Sequence, residues 1–300
     1  MPTPRGLQRA AAVAVLLLLA ACSSSVGHSS PEGGAGSREG APTSPGPGWH
    51  LSWSDEFDGS ALDPGTWTVE DRSTFGDGGK ELACLMNRPQ NVTLESGVLV
   101  LRAQRERTPL RCGAHDSRFP GGRDYSSAFI STKGAKDWMY GRFEIRAKLP
   151  TAPGTSQGLW PAFWLRPVTG GTGELDVLEA IGGGAGSPEP GQVHQTIWYD
   201  YDGTHPKESA AVTLPKGSPS DGFHVYAVEW EKGAMRWYVD GVKTFERTTQ
   251  TTTWLDEAFA QPMFLRLNLA VGGTWPGSPD ASTRFPADFL VDYVRVYERA

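Results

Sequence analysis

Residues 141–149 read Gly-Arg-Phe-Glu-Ile-Arg-Ala-Lys-Leu, and this stretch decides the fold class. Phe143, Ile145 and Ala147 alternate with charged side chains, so one face is apolar and the other is polar. Side chains alternate with period two in a β-strand, whereas an amphipathic helix repeats its apolar residues every three or four positions. The stretch therefore predicts a strand with one buried face.

The same alternation recurs between turn signals along the chain, at residues 98–101, 223–230, 234–239, 263–269 and 289–297. Asp240-Gly241 is a tight-hairpin signal between two of these stretches. No window of a dozen residues shows a helical stripe. Many antiparallel strands of this length must pack face to face, so the sequence predicts an all-β sandwich of two antiparallel sheets.

The N-terminal residues have the composition of an export signal. Arg5 and Arg9 precede an apolar run at residues 10–21, which is short for a membrane span. The run ends in Leu19-Ala20-Ala21-Cys22, which resembles a bacterial lipobox. Residues 1–21 are therefore predicted to be a lipoprotein signal peptide, with Cys22 the lipidated residue. The alternative is a cleavable signal in which Cys22 is incidental.

Residues 22–48 are mostly Ser, Gly, Pro and Ala, a composition that predicts a disordered linker. Residues 49–300 remain as one domain. We expect an exported monomer at the cell surface or outside the cell, whose contact with the membrane is the lipid anchor alone. The formal net charge of −6 argues against a nucleic-acid partner.

Two cysteines remain within the predicted domain, Cys84 and Cys112. A lone pair in an exported protein favours a structural disulfide over free thiols. No His or Cys lies at ligand spacing beside either one, which disfavours a metal site.

The segment with catalytic potential is Gly173-Glu174-Leu175-Asp176-Val177-Leu178-Glu179-Ala180. In a regular strand Glu174 and Asp176 face one side and Glu179 faces the other. One extra residue in a β-bulge near Val177-Leu178 would return Glu179 to the acidic face. Three crowded carboxylates then suggest acid–base chemistry. A surface acidic strand and a calcium ligand set are the alternatives.

This segment resembles the bulged E-x-D-x-x-E signature of glycoside hydrolase family 16, laminarinase-like type. The resemblance covers nearly all of residues 49–300, and further matching segments follow in the family's order. They are residues 53–59 (WSDEFDG), 140–144 (YGRFE), 159–164 (LWPAFW), 223–226 (FHVY), 237–241 (WYVDG), 268–273 (NLAVGG) and 291–297 (VDYVRVY).

The resemblance implies a jelly-roll β-sandwich with a concave cleft, and a retaining double displacement that needs no cofactor. Glu174 would be the nucleophile, Glu179 the acid/base and Asp176 an assisting acid. Glu179 would need a raised pKa, for which the neighbouring carboxylates are one cause.

Aromatic side chains are expected to bind the sugar. Trp160 and Trp164 share strand parity just before the acids, with a core position as the alternative. Trp275 is a further cleft candidate. His194 is either a cleft residue or a structural histidine, because Trp198 stands where the family usually has histidine.

The resemblance also suggests a structural calcium ion held by Glu56 and Asp292, with backbone carbonyls as most other ligands. No other metal or cofactor is expected.

The expected substrate is a β-linked polysaccharide, first β-1,3-glucan or β-1,3-1,4-glucan. The chain departs from the β-1,3-glucanase pattern at Lys80, at Ser127-Ala128-Phe129 and at Gly170-Gly171-Thr172-Gly173. Hydrolysis of galactans such as agarose or carrageenan, transglycosylation, and non-catalytic glucan binding therefore stay open.

Overall fold

Extended backbone dominates the computed structural model, as the alternation predicts. The structure describes residues 45–74, 79–113, 117–184, 191–200 and 207–300. Within them lie seventeen strands and one short helix, α1 (Leu255–Phe259). The strands are β1 (Trp49–Asp55), β2 (Thr68–Val69), β3 (Ala83–Leu85), β4 (Val92–Leu94), β5 (Leu99–Leu110), β6 (Arg123–Ser127), β7 (Phe129–Ser131), β8 (Gly141–Lys148), β9 (Leu159–Pro167), β10 (Glu174–Glu179), β11 (Gln192–Trp198), β12 (Lys207–Thr213), β13 (His224–Glu231), β14 (Ala234–Val239), β15 (Val242–Thr248), β16 (Met263–Val271) and β17 (Ala287–Arg299).

The predicted signal peptide at residues 1–21, the candidate lipidation residue Cys22 and most of the predicted linker lie outside the described residues. Within the part of the chain that the structure describes, no helix has the length and hydropathy needed to cross a membrane.

The strands form two sheets, which confirms the predicted sandwich. The ten-stranded sheet has the order β15-β14-β13-β8-β17-β5-β6-β3, with β1 beside β17 and β4 beside β5. The seven-stranded sheet has the order β12-β11-β10-β9-β16-β7-β2. The neighbouring strands are antiparallel except for the short pair β3 and β6, which is parallel and departs from the predicted all-antiparallel arrangement.

The apolar faces of the two sheets meet in one core. Phe143, Ile145 and Ala147 of β8 have no exposed area, and neither do Phe163 and Leu165 of β9 on the facing sheet. Burial of a large apolar side chain contributes about 1.5–3 kcal/mol relative to exposure. Because β9 alternates, its other face carries Trp160, Ala162 and Trp164 on the side of the sheet away from this core.

The strands predicted from alternation are present, and β5, β16 and β17 extend beyond the predicted bounds. The largest difference is β5, which continues through a polar second half to Leu110. The hairpin between β14 and β15 has positive φ at both Asp240 (49°) and Gly241 (78°), the conformation that the Asp-Gly pair favours.

Cys84 and Cys112 form a disulfide, as predicted. The bond joins β3 to the segment that follows β5, and both cysteines are buried. It lies close in the chain to Leu85, whose side chain borders the cleft described below.

Candidate active site

Strand β10 contains the predicted bulge. Asp176 lies opposite Thr196 on β11, whereas Glu179 lies opposite His194, so three steps on β10 match two on its neighbour. The pairing with β9 shifts between Asp176 and Leu178. Val177 and Leu178 therefore both point into the core, where neither has exposed area, although they are consecutive.

The bulge brings Glu174, Asp176 and Glu179 to the same face of the seven-stranded sheet. A bulge leaves backbone groups that the ladder does not satisfy. Here Trp237 of β14, on the facing sheet, donates its indole N–H to the Asp176 carbonyl oxygen at 2.9 Å. A buried residue of one sheet thus supports the irregular backbone of the other.

The three acids border a cleft of about 880 Å³. Its floor consists of alternate residues on five adjacent strands. They are Trp160, Ala162, Trp164 and Arg166 of β9, Glu174, Asp176 and Glu179 of β10, His194, Thr196 and Trp198 of β11, Lys207 and Ser209 of β12, and Arg266, Asn268 and Ala270 of β16. Gly79, Glu81, Thr274 and Trp275 are among the residues that border the cleft from outside these strands.

Burial changes the protonation of two of the acids. Burial, followed by the charge of Glu174, raises the pKa of Glu179 to about 8. Burial and the charges of Glu174 and Glu179 raise the pKa of Asp176 well above its ordinary value. Asp176 is 2% exposed, and none of the described residues donates a hydrogen bond to its Oδ2. Glu179 is therefore mostly protonated at neutral pH, and the same causes favour the neutral form of Asp176.

Trp160 and Trp164 share the cleft face of β9, as their parity predicts. Trp160 Nε1 donates a hydrogen bond to Glu179 Oε1 at 3.0 Å. Trp164 Nε1 donates to Asn268 Oδ1 at 2.8 Å. Each indole is therefore fixed by a polar partner while its ring borders the cleft.

Trp275 lies beside Trp160 at one end of the cleft. The two rings are perpendicular, with centroids 5.2 Å apart. His194 packs edge-on against the same Trp275 at 4.8 Å and borders the cleft. The structure thus places both candidates on the cleft, with Trp275 39% exposed.

Among the described residues that border the cleft, three cations and one further acid were not predicted as site residues. They are Arg166, Lys207, Arg266 and Glu81. Arg266 Cζ lies 4.5 Å from the Trp164 ring centroid, and Lys207 Nζ lies 4.4 Å from that of Trp198. The parity of Arg266 with Asn268, inside a matching segment of the sequence, was a usable signal. Lys207 offered none, because its strand reads Lys-Glu-Ser-Ala-Ala-Val-Thr.

Glu56 and Asp292, the predicted calcium ligands, both have arginine partners. Glu56 accepts two hydrogen bonds from Arg295 at 2.8 and 2.9 Å, and Asp292 accepts one from Arg146 at 2.7 Å. Among the described residues, no group of three His, Cys, Asp or Glu side chains could hold a metal ion. As they stand, these carboxylates do not fit a cation site, and calcium binding stays a prediction.

The chain has relatives of known sequence and structure. It is 38% identical over 269 residues to the beta-glucanase of Rhodothermus marinus, covering 84% of this chain and 86% of that one. It is 36% identical to the glucan endo-1,3-beta-glucosidase A1 of Niallia circulans, covering 86% of this chain and 39% of that one.

Among solved structures, the endo-beta-1,3-glucanase from Pyrococcus furiosus superposes with a TM-score of 0.70 at 34% identity, over 84% of this chain and 95% of that one. Residues 79–295 match the family model described as "Glycosyl hydrolases family 16". The match spans more than half of the chain and contains all three acids of β10, so the chain belongs to glycosyl hydrolase family 16.

Proposed function

We propose that this chain is a retaining endo-acting hydrolase of β-1,3-glucan. The observation that carries the proposal is the bulged strand β10, which brings Glu174, Asp176 and Glu179 to one cleft face. The relatives named as endo-1,3-β-glucanases support both the linkage and the endo mode.

In the first step, protonated Glu179 donates its proton to the glycosidic oxygen while the Glu174 carboxylate attacks the anomeric carbon. The bond to the leaving sugar breaks and a glycosyl ester forms on Glu174. Glu179 suits the role of general acid, because a carboxyl group with a pKa of about 8 is mostly protonated at neutral pH.

In the second step, Glu179 takes a proton from water, and the hydroxyl adds to the anomeric carbon as the ester breaks. Esterification removes the negative charge of Glu174, which is the second-largest cause of the raised pKa of Glu179. The pKa of Glu179 then falls, so the same group becomes a better base when the reaction needs one. The raised pKa of Asp176, which lies between the two on the strand, favours its neutral form and so limits the repulsion among the three acids.

The aromatic residues are proposed to bind the polymer. A pyranose ring presents an apolar C–H face that stacks on indole. Trp160 and Trp275 form a corner of perpendicular rings beside Glu179, and Trp164 lies further along the same strand. His194 packs on Trp275 and would fix the orientation of that ring.

Reducing-sugar release by residues 23–300 on laminarin, barley mixed-linkage glucan, agarose and κ-carrageenan tests the proposal. We expect release from laminarin, loss of it in Glu174→Gln, and β-configured product in the first minutes by proton NMR. Release from a galactan alone would refute the substrate. Products longer than the substrate would indicate transglycosylation. Binding to laminarin without release would indicate a non-catalytic module.

We further propose that the chain is exported and anchored through a lipid on Cys22, as the lipobox-like residues 19–22 suggest. Expression in a bacterium with lipoprotein processing should place the wild type in the membrane fraction. Cys22→Ala should leave that fraction. Equal membrane association of both proteins would contradict the anchor.

A further inference from the structure

Lys207 is an exposed cation that borders the cleft beside the acids of β10. Across the sheet, Glu174 lies opposite Trp198, and Trp198 lies opposite Lys207, so the three form a row on adjacent strands. All three side chains border the cleft. Opposite residues on adjacent strands are about 5 Å apart, which puts the Lys207 backbone about 10 Å from that of Glu174.

The Lys207 ammonium is held over the aromatic ring between these two positions. Its Nζ lies 4.4 Å from the Trp198 ring centroid, within the range of a cation–π contact. Such a contact places no anion beside the ammonium. Its positive field is therefore not cancelled, as it would be in a salt bridge. The contact therefore holds a positive charge one strand away from Glu174.

Within the part of the chain that the structure describes, the other ionisable side chains that border the cleft with the acids are Glu81, Arg166, His194 and Arg266. Arg166 donates to the backbone carbonyl oxygens of Gly171 and Gly173, and Arg266 is 8% exposed beneath the cleft surface. Replacing either arginine would disturb packing as well as charge. Lys207 is exposed, so its charge can be changed with little effect on packing apart from its contact with Trp198.

We infer that Lys207 is a positioning residue for the proposed reaction, whose charge, held on the Trp198 ring, favours the ionised forms of the acids on β10. This inference rests on the proposed function. In chemical terms, the positive charge of Lys207 stabilises the Glu174 carboxylate during attack and eases the loss of the proton from Glu179 in the first step. The Lys207 charge acts on the pKa of Glu179 in the opposite direction to burial and to Glu174, the two larger causes.

A charge series at position 207 tests the inference without substrate. Protein labelled with ¹³C at the Glu carboxyl carbons is titrated by NMR, and the Glu179 signal is identified by its loss in Glu179→Gln. Lys207→Arg should titrate like the wild type. In Lys207→Met, and further in Lys207→Glu, the Glu179 midpoint should rise by roughly 0.3–1 pH unit per unit of charge. The differences should shrink in 0.5 M NaCl.

Lys232→Met, in the exposed turn between β13 and β14, is the matched control and should leave the midpoint unchanged. The inference is overturned if the Glu179 midpoint does not change with the charge at position 207, or if it moves equally in the control. The alkaline limb of the kcat/KM profile on laminarin should move with the Glu179 midpoint. A limb that stays fixed while the midpoint moves overturns the role of Lys207 in the reaction. An inactive wild type with moving midpoints would instead refute the proposed function, since the titration needs no substrate.

Discussion

At the scale of single residues, the site depends on keeping a proton on Glu179. The group is half-buried beside the Glu174 charge, and its pKa of about 8 keeps it protonated through most of the neutral range. Asp176 is shifted in the same direction by the same causes. The three carboxyl groups share one cleft face, and the charge of Glu174 raises the pKa of both Asp176 and Glu179, so a kinetic midpoint reflects the group of acids rather than one residue.

The first prediction concerns the pH dependence of the reaction. Glu179 must be protonated to donate to the leaving oxygen, so kcat/KM on laminarin should fall above pH about 8. A profile from pH 4 to 10 at constant ionic strength measures this. Glu179→Gln should lose about 10²–10⁴-fold in activity. An alkaline limb that survives in Glu179→Gln would show that another group carries the proton.

The second prediction concerns the hydrogen bond from Trp160 to Glu179. An N–H donor stabilises the ionised carboxylate and so lowers its pKa, against the larger effects of burial and of Glu174. Trp160→Phe keeps an aromatic ring and removes the donor. The alkaline limb should therefore move to higher pH, whereas Trp164→Phe, whose indole bonds Asn268 instead, should leave it in place. Equal shifts in both variants would contradict the role of this bond.

At the scale of strands and loops, alternation predicted more of the structure than any single motif. Among the strands around the site it identified β16, and the failed parity of Glu179 predicted the bulge that the pairing of β10 contains. It placed Trp160 and Trp164 on the face that they occupy. Arg266 and Lys207 were missed because their position beside the acids depends on which strands become neighbours. Arg166 has the same parity as Trp160 and Trp164 on β9 and could have been predicted from it. Strand β16 pairs with β9 from about a hundred residues away, and no local pattern encodes that.

The loop that carries Trp275 gives a third prediction. Gly272 has a φ of +70°, and a Cβ there would lie 2.4 Å from Leu82 Cγ. Gly272→Ala should shift the loop and move Trp275 away from Trp160 and His194, which raises KM on laminarin by about tenfold with a smaller change in kcat. Gly134→Ala is the control, since its φ of +78° is similar and nothing lies within 4 Å of the added Cβ. An unchanged KM in Gly272→Ala would separate Trp275 from substrate binding.

The disulfide gives a fourth prediction. It closes a loop of 28 residues, and cross-linking such a loop restricts the unfolded chain. The double variant Cys84→Ser, Cys112→Ser should unfold with about 3 kcal/mol less free energy in urea. Wild type under reducing conditions is the matched comparison and should lose a similar amount. If the variant loses stability but the reduced wild type does not, the effect comes from the packing of the serines and not from the missing bond.

At the scale of the whole molecule, the two faces of the seven-stranded sheet differ in polarity. One face is apolar and completes the core with the ten-stranded sheet. The other is open to the cleft and holds ionisable groups that burial disfavours in their charged form. The fold therefore carries a stability cost at the pH where the reaction needs these acids, and the core offsets it.

The last prediction concerns how the free energy of unfolding changes with pH. The pKa of Glu179 rises from 4.5 to about 8 on folding, so between these values the folded protein retains a proton that the unfolded chain releases. Stability is then full below pH 4.5 and is lost as the pH rises toward 8, by up to about 1.4 kcal/mol per pH unit for each such group. Glu179→Gln cannot ionise, so it should match the wild type near pH 4.5 and exceed it increasingly at pH 6, 7 and 8 in urea unfolding. Glu95→Gln, at an exposed glutamate outside the cleft, is the control for replacing a glutamate, and its difference from the wild type should not grow between pH 6 and 8. A constant difference between Glu179→Gln and the wild type would mean that the Glu179 carboxyl ionises alike in the folded and unfolded chains, and the proposed acid role would lose its physical basis.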